Sequence, residues 1–417
     1  MKSSLFVRYA VVLGIFAVAS RAPAQQEAAG PTGPASALAT WQRDLLQLAF
    51  TAASKFPLQP HLRNRSRAQL QVVDTCFELD AAELAVGFAR DIADWRRGAA
   101  YADFATWCGR RGDRPRALRF LQLVDDLLAD EQVGKPAQEW QRDLVVLKQA
   151  RAWATLGEAA KADAAMKSID ADSTHAVDPD WARTAADRVA GMTIEQGRAE
   201  FAGVDREFLA MTLGQQGTAL ETIAGLHARF YADETLRRLA EDRLTKVYDK
   251  LPPKLRLDAI TRLVRTAAGN ADAANAQRLV ADMQRIVEGF QWRAEDRVPE
   301  LARIAELRCL AGLPDRGRAE LDAALADYHE HRDEIVDIYR AATLRAVALA
   351  FFAIGELGKA HDLLASVFEE GMENPNSRPR CDDFVATCCL MARRGVEPRA
   401  AMWTRLREIV EGLGEPW

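Results

Sequence analysis

A recurring pair of small residues constrains the fold of this chain more than any other feature. Between Trp41 and Leu413, a glycine repeatedly ends an apolar stretch of helical periodicity, and a small residue follows five positions later. Glycine accepts the left-handed backbone that closes a helix, and a small side chain inside the next helix lets two helices approach. The pattern predicts helical hairpins joined by tight turns. The seven pairs are Gly112/Ala117, Gly157/Ala162, Gly214/Ala219, Gly269/Ala274, Gly312/Gly317, Gly355/Ala360 and Gly395/Ala400.

Two more positions repeat in the same register. Seven residues before the glycine, five of the pairs have a small residue: Ala105, Ala150, Ala305, Ala348 or Cys388. Eleven residues before it, the same five have a large apolar group: Tyr101, Val146, Leu301, Leu344 or Phe384. No stretch shows the sustained alternation of a β-strand. We therefore predict an all-α protein, an α-solenoid of about seven to eight antiparallel helical hairpins in which successive hairpins nest side by side.

These registers resemble the tetratricopeptide repeat. The best units are 298–331 and 341–374, and in the second unit Leu364, Val367 and Phe368 occupy the family's apolar second-helix positions. The glycines are 45, 57, 55, 43, 43 and 40 residues apart, whereas the family repeats at about 34. We therefore expect irregular repeats, with inserted turns or an extra helix near 178–197.

The first 24 residues have the layout of a secretory signal peptide. A basic start with Lys2 and Arg8 precedes an apolar run over 9–20, and the small residues Ala22 and Ala24 frame a cleavage point after Ala24. An uncleaved anchor is the alternative. We divide the chain into a signal peptide (1–24), a flexible linker (25–39), an N-terminal helical hairpin region (40–97) and a tetratricopeptide-like array (98–414). The mature protein is expected in the periplasm or secreted, with no transmembrane segment.

Cysteine and charge exclude several classes of protein. Six cysteines are too few for a disulfide-built scaffold, so we expect them mainly in packing, with a Cys76–Cys108 bridge left open. The formal net charge of −5 gives no general attraction to nucleic acid.

No catalytic or nucleotide-binding motif is present in the sequence. In the run 327–333, Asp327 and His331 together supply two metal ligands, one too few for a site, and no cofactor or metal is expected.

Two features leave alternatives open. The acidic pairs Asp125-Asp126 and Asp382-Asp383 would suit a helical-toroid carbohydrate-active enzyme, a lyase or glycosidase. A dense arginine cluster would form either a solvated helix face or a basic patch for an acidic peptide. That cluster comprises Arg96, Arg97, Arg110, Arg111, Arg114, Arg116 and Arg119.

The resemblance implies a binding surface. In tetratricopeptide proteins, peptides lie against a concave face lined by the first helix of each hairpin. The lining positions carried over to this chain are Arg110, Arg151, Glu306, Arg345, Arg393 and Arg394. We expect an exported, non-enzymatic scaffold for a protein or peptide, including one with acidic groups or a free C-terminal carboxylate. The alternatives are the toroid enzyme and a structural envelope component without a groove ligand.

Overall fold

The computed structural model describes residues 38–130, 139–169, 189 and 191–417, and all regular structure within these ranges is helical. The α-helices are α1 (Thr40–Ser54), α2 (Leu62–Glu78), α3 (Ala82–Ala89), α4 (Arg96–Arg110), α5 (Arg114–Ala129), α6 (Glu139–Thr155), α7 (Ala159–Lys167), α8 (Ile194–Glu207), α9 (Leu213–Arg229), α10 (Glu234–Asp242), α11 (Pro253–Gly269), α12 (Ala273–Glu288), α13 (Ala294–Leu310), α14 (Pro314–His331), α15 (Asp337–Ala353), α16 (Leu357–Met372), α17 (Ser377–Arg394) and α18 (Ala400–Gly412).

Sixteen of these helices form eight pairs in chain order, each joined by a short connection, and seven of the pairs pack against each other as hairpins. In the eighth pair, α17 packs mainly against α1 and α2, and α18 follows it after a turn. We call the first helix of each pair its A helix and the second its B helix. The A helices are α2, α4, α6, α9, α11, α13, α15 and α17. This arrangement confirms the prediction of an all-α, solenoid-like stack of helical hairpins.

Seven of the eight turns within these pairs share one geometry. One residue takes a positive φ, and the amide of the next residue donates to the carbonyl five residues earlier, as from Asp113 to Cys108 (3.0 Å). This is the Schellman arrangement, in which a left-handed residue closes the helix. The positive-φ residues are Asp80, Gly112, Gly157, Ala271, Gly312, Gly355 and Gly395. Five of the predicted turn glycines are therefore confirmed.

The other two predicted turns are wrong in position. Gly214 lies in the first turn of α9, and Gly269 is the last residue of α11, two residues before the left-handed Ala271. The α9–α10 turn instead relies on Asp233, whose carboxylate caps α10 by accepting from the Leu236 amide (2.9 Å). Asp80 supplies a turn that the glycine pattern missed. Asp and Ala adopt the left-handed region far less often than glycine does. A pattern that searches for glycine therefore misses the turns that they close.

The close approach of the paired helices is confirmed once the register is counted from the left-handed residue. Five residues after it, a small buried residue stands in six of the seven pairs that share this turn: Ala85, Ala117, Ala162, Ala276, Gly317 and Ala360. Ala400 and Ala274, two of the predicted positions, are exposed instead. At Gly317 an added Cβ would come within 2.6 Å of the Ala305 carbonyl oxygen, so α13 and α14 touch too closely even for alanine.

The A helices lie parallel and side by side. Ion pairs between neighbouring A helices show this, since each pair joins side chains at matching heights along the two helices. Lys148 of α6 contacts Asp103 of α4 at 2.8 Å. Farther along the array, Arg265 of α11 contacts Glu306 of α13 at 2.6 Å. Similar pairs are Arg303–Asp258, Lys254–Glu300, Arg262–Glu221 and Arg345–Asp383.

The two ends of the described chain meet inside this array. Arg67 of α2 contacts Asp382 of α17 at 2.8 Å, and Arg393 near the far end of α17 contacts Glu78 at 3.0 Å. The A helices therefore follow one another in space as α9, α11, α13, α15, α17, α2, α4 and α6. We call the contact between α17 and α2 the seam. One apolar core joins residues of 45–152 to residues of 298–413 across it. The glycine pattern gives no indication that the last hairpin adjoins the first.

Several predictions concern other parts of the chain. All six cysteines are free thiols, so the Cys76–Cys108 bridge is absent. Among the described residues, no helix has the length and apolar character needed to cross a bilayer. The predicted signal peptide and nearly all of the linker lie outside the described residues, as does most of 178–197.

Candidate functional site

All six residues predicted to line a binding face lie on A helices, and three of them hold neighbouring A helices together. Glu306 pairs with Arg265, and Arg393 pairs with Glu78. Arg345 is largely buried and donates to the Thr387 hydroxyl (3.0 Å) beside the Asp383 carboxylate (3.4 Å). These three side chains are thus engaged within the array.

The other three lie toward the C-terminal ends of A helices. Arg110 and Arg394 are the last residues of α4 and α17, and both are exposed. Arg151 is half-buried, four residues before the end of α6. All three predicted lining arginines therefore lie toward the same kind of helix end.

The acidic pairs considered for sugar chemistry also have local partners. Asp125 accepts from Gln149 (2.5 Å), and Asp126 accepts from Gln122 (2.9 Å). Asp382 and Asp383 each face an arginine of a different neighbouring helix. Burial raises the pKa of Asp382, and it raises the pKa of Asp383 to about 6.

The arginine cluster divides between the two ends of α4. Arg111, Arg114 and Arg116 lie at the turn after α4 and pair with Asp80, Glu158 and Glu83, respectively. Each of these acids belongs to an adjacent hairpin, so the pairs join hairpins. Arg96 and Arg97 lie about 20 Å away along the helix axis, at the start of α4.

The run 327–333 brings together one more potential metal ligand than the sequence suggested. Asp327, Glu330 and His331 present donor atoms that lie within 4.8 Å of one another. However, Arg297 donates to both Asp327 oxygens (2.6 and 3.1 Å). The guanidinium already compensates this carboxylate, and we assign no metal to the group.

A buried polar network, which the sequence did not reveal, connects α9, α10 and α12. Glu241 is almost fully buried and contacts His227 (3.1 Å), Asn275 (2.7 Å) and Arg278. Burial opposes ionisation of Glu241, but the hydrogen bonds from His227 and Asn275 and the Arg278 charge outweigh it and lower its pKa. Since these partners come from three helices, the network anchors the short helix α10. Nothing in the local sequence marks them as neighbours.

Exposed apolar side chains collect at one edge of the array. Of the twelve large apolar residues exposed in the described ranges, eight lie within the six residues before an A helix or in its first turn. Seven of these precede or begin the consecutive helices α9, α11, α13 and α15, and we call them the apolar edge: Leu209, Leu213, Val247, Phe290, Val336, Ile338 and Tyr339. The eighth, Leu58, precedes α2.

Two of the loops that carry the apolar edge contact each other. The rings of Phe208 and Tyr248 stack with centroids 3.8 Å apart, which joins the loops before α9 and α11. Leu209, which follows Phe208 in the chain, is 79% exposed, and Val247, which precedes Tyr248, is 47% exposed. Exposed apolar groups that adjoin in this way are typical of interaction sites, whereas isolated ones are ordinary.

Comparison with known proteins gives no assignment, because no family model and no curated protein matches the chain.

Proposed function

We propose that this protein is an exported, non-enzymatic helical-repeat scaffold that binds a protein or peptide in the cell envelope. The observation that carries the proposal is the apolar edge. Its seven large side chains precede or begin four consecutive A helices, so they lie along the same edge of the array. Burial of such groups, aromatic ones above all, provides much of the binding energy at protein interfaces.

Other features fit the same function. The left-handed turns and close helix contacts support a tetratricopeptide-like repeat, whose relatives bind peptides. Ion pairs between successive A helices hold the hairpins in register, which gives a partner a preorganised surface. The exposed Arg110 and Arg394 are candidate contacts for acidic groups of the partner. The signal-like layout of residues 1–24 supports export.

The test is affinity capture from the protein's own envelope fraction with matched variants. The edge variant is Leu209→Ser/Phe290→Ser/Tyr339→Ser. The control is Leu310→Ser/Leu357→Ser, which changes two exposed apolar residues outside the apolar edge. We expect one polypeptide to be recovered with the wild type and the control and to be lost with the edge variant.

Three results would contradict the proposal. Equal recovery by the edge variant and the control would remove the apolar edge from the binding surface. Turnover of an envelope polysaccharide, without any recovered polypeptide, would favour the carbohydrate-active alternative. A structural envelope component would instead show concentration-dependent self-association by light scattering.

A further inference from the structure

The seam between α17 and α2 brings arginines of three A helices to one edge. The helices α17, α2 and α4 are neighbours in the array, and their N-terminal ends lie on the same side. Eight arginines stand before these helices or in their first two turns. Two of them, Arg65 and Arg380, donate to the backbone carbonyls of Phe56 and Asn374. We call the other six the seam arginines: Arg63, Arg67, Arg90, Arg96, Arg97 and Arg378. Four aspartates lie at the same helix ends, so the eight arginines outnumber them two to one: Asp91, Asp94, Asp382 and Asp383.

Four of the seam arginines lack an ion-pair partner among the described residues. Arg67 pairs with Asp382 (2.8 Å) and Arg96 with Asp94 (2.5 Å). Within the same ranges, no carboxylate lies within ion-pair distance of Arg63, Arg90, Arg97 or Arg378. Elsewhere in the array arginines commonly pair with a neighbouring hairpin, as Arg116 and Arg405 do. The seam therefore gathers four unpaired arginine charges at the ends of three adjacent A helices.

One guanidinium also has an unused donor in the interior. The Nε of Arg97 is shielded from solvent and has no hydrogen-bond partner. A buried donor left unpaired is costly and points to a missing acceptor.

The seam arginines influence one another across helix boundaries. Burial lowers the pKa of Arg96, and the charges of Arg63 and Arg67 on α2 lower it further. The charges of Arg67 and Arg378 act together on the Asp382 carboxyl of α17. The cluster is thus electrostatically continuous over the seam, and bringing these cations together is unfavourable until an anion compensates them.

We infer that the seam arginines form a binding site for a ligand with several phosphate groups. Guanidinium groups bind phosphate oxygens with paired, charge-assisted hydrogen bonds. The N-terminal ends of the three A helices add partial positive charge on the same side. Because the arginines are spread over α2, α4 and α17, a ligand with more than one phosphate engages them better than a single phosphate. The ligand is either a soluble polyphosphate compound or a cluster of lipid headgroup phosphates.

This inference does not depend on the proposed peptide-binding function, because the site and the apolar edge share no residue. Binding would also join the two ends of the chain. A ligand held by Arg63 of α2 and Arg378 of α17 stabilises the folded protein, since the unfolded chain does not present the two residues together.

Calorimetric titration with tripolyphosphate tests the inference on the purified mature protein. The seam variant is Arg63→Gln/Arg378→Gln, which changes two exposed residues and leaves the packing in place. The control is Arg119→Gln/Arg206→Gln, which removes the same charge from two exposed arginines elsewhere, also without ion-pair partners in the described ranges. We expect the seam variant to bind at least about tenfold more weakly, and the control to bind like the wild type. Tripolyphosphate should raise the melting temperature of the wild type and the control.

The inference would be overturned if the protein neither bound tripolyphosphate at millimolar concentration nor sedimented with lipid vesicles that contain phosphatidic acid. So would an equal loss of affinity in both variants, because net charge alone would then explain binding.

Sedimentation with phosphatidylcholine vesicles, with and without phosphatidic acid, distinguishes the two sources of phosphate. Sedimentation that needs phosphatidic acid and is lost in the seam variant assigns the site to lipid headgroups. Tripolyphosphate binding without sedimentation assigns it to a soluble ligand.

Discussion

Asp383 is a single residue whose ionisation reports on the packing of the A helices. It faces Arg345 in the interior between α15 and α17, and burial raises its pKa from 3.8 to about 6. The unfolded chain loses this proton near pH 4, whereas the folded chain keeps it until about pH 6. Between these values the folded state binds more protons, so the free energy of unfolding contributed by Asp383 falls as pH rises.

We expect the Asp383→Asn variant to lack this pH dependence. The difference in unfolding free energy, wild type minus variant, should decrease by up to about 3 kcal/mol between pH 4 and pH 6 and stay level above that. Urea denaturation of both proteins across this range measures it. Other carboxylates are common to the two proteins and cancel in the difference. A difference that is flat or rises with pH would show that Asp383 is solvated or more strongly paired than the structure indicates.

At the scale of the element, the hairpin turn between α15 and α16 contains two glycines with opposite roles. Gly355 has φ +87° and closes α15, whereas Gly358 lies in the first turn of α16. An added Cβ would meet no atom within 4 Å at either position, so backbone conformation alone decides the effect of a methyl group.

Alanine at the two positions should therefore change stability in opposite directions. We expect Gly355→Ala to cost about 1 kcal/mol, since an L-residue resists the left-handed region, and Gly358→Ala to stabilise by about 0.5–1 kcal/mol through helix propensity. Chemical denaturation of the two variants provides the comparison. Destabilisation of similar size in both would show that the turn is not closed by Gly355.

A feature of this fold could be predicted from the sequence when a few neighbouring residues determine it. The turns at Gly112 and Gly355 were predictable because only glycine adopts a positive φ at little cost, and the small residue five positions later marks the helix contact. Ala271 and Asp80 were missed because they perform the same role with residues that carry no such preference. Arg345 was correctly placed on an A helix, but its partner Asp383 lies 38 residues away. The spacing of residues along the chain does not indicate which side chains form ion pairs between hairpins.

At the scale of the whole molecule, the seam is the feature that the sequence did not indicate. From α9 to α17 the A helices follow one another in space as they do along the chain, and the helix after α17 in space is α2, followed by α4 and α6. The ring of Trp417 packs on Phe56 (4.8 Å between centroids), and the Gln42 side chain donates to the Ala392 carbonyl (2.8 Å). The first described helix and the C-terminal residues therefore pack together across the seam.

The distance between residues 78 and 393 tests this arrangement most directly. Both side chains are exposed, and their ion pair joins α2 to α17. Spin labels at Glu78→Cys and Arg393→Cys, in a background free of the six native cysteines, report the distance by pulsed electron paramagnetic resonance. Labels at Arg265→Cys and Glu306→Cys calibrate two adjacent A helices. Since neighbouring helix axes are about 8–10 Å apart, we predict similar distances for both pairs, about 20 Å or less. A distance beyond about 40 Å for 78–393, with the calibration pair still short, would mean that the chain ends do not meet.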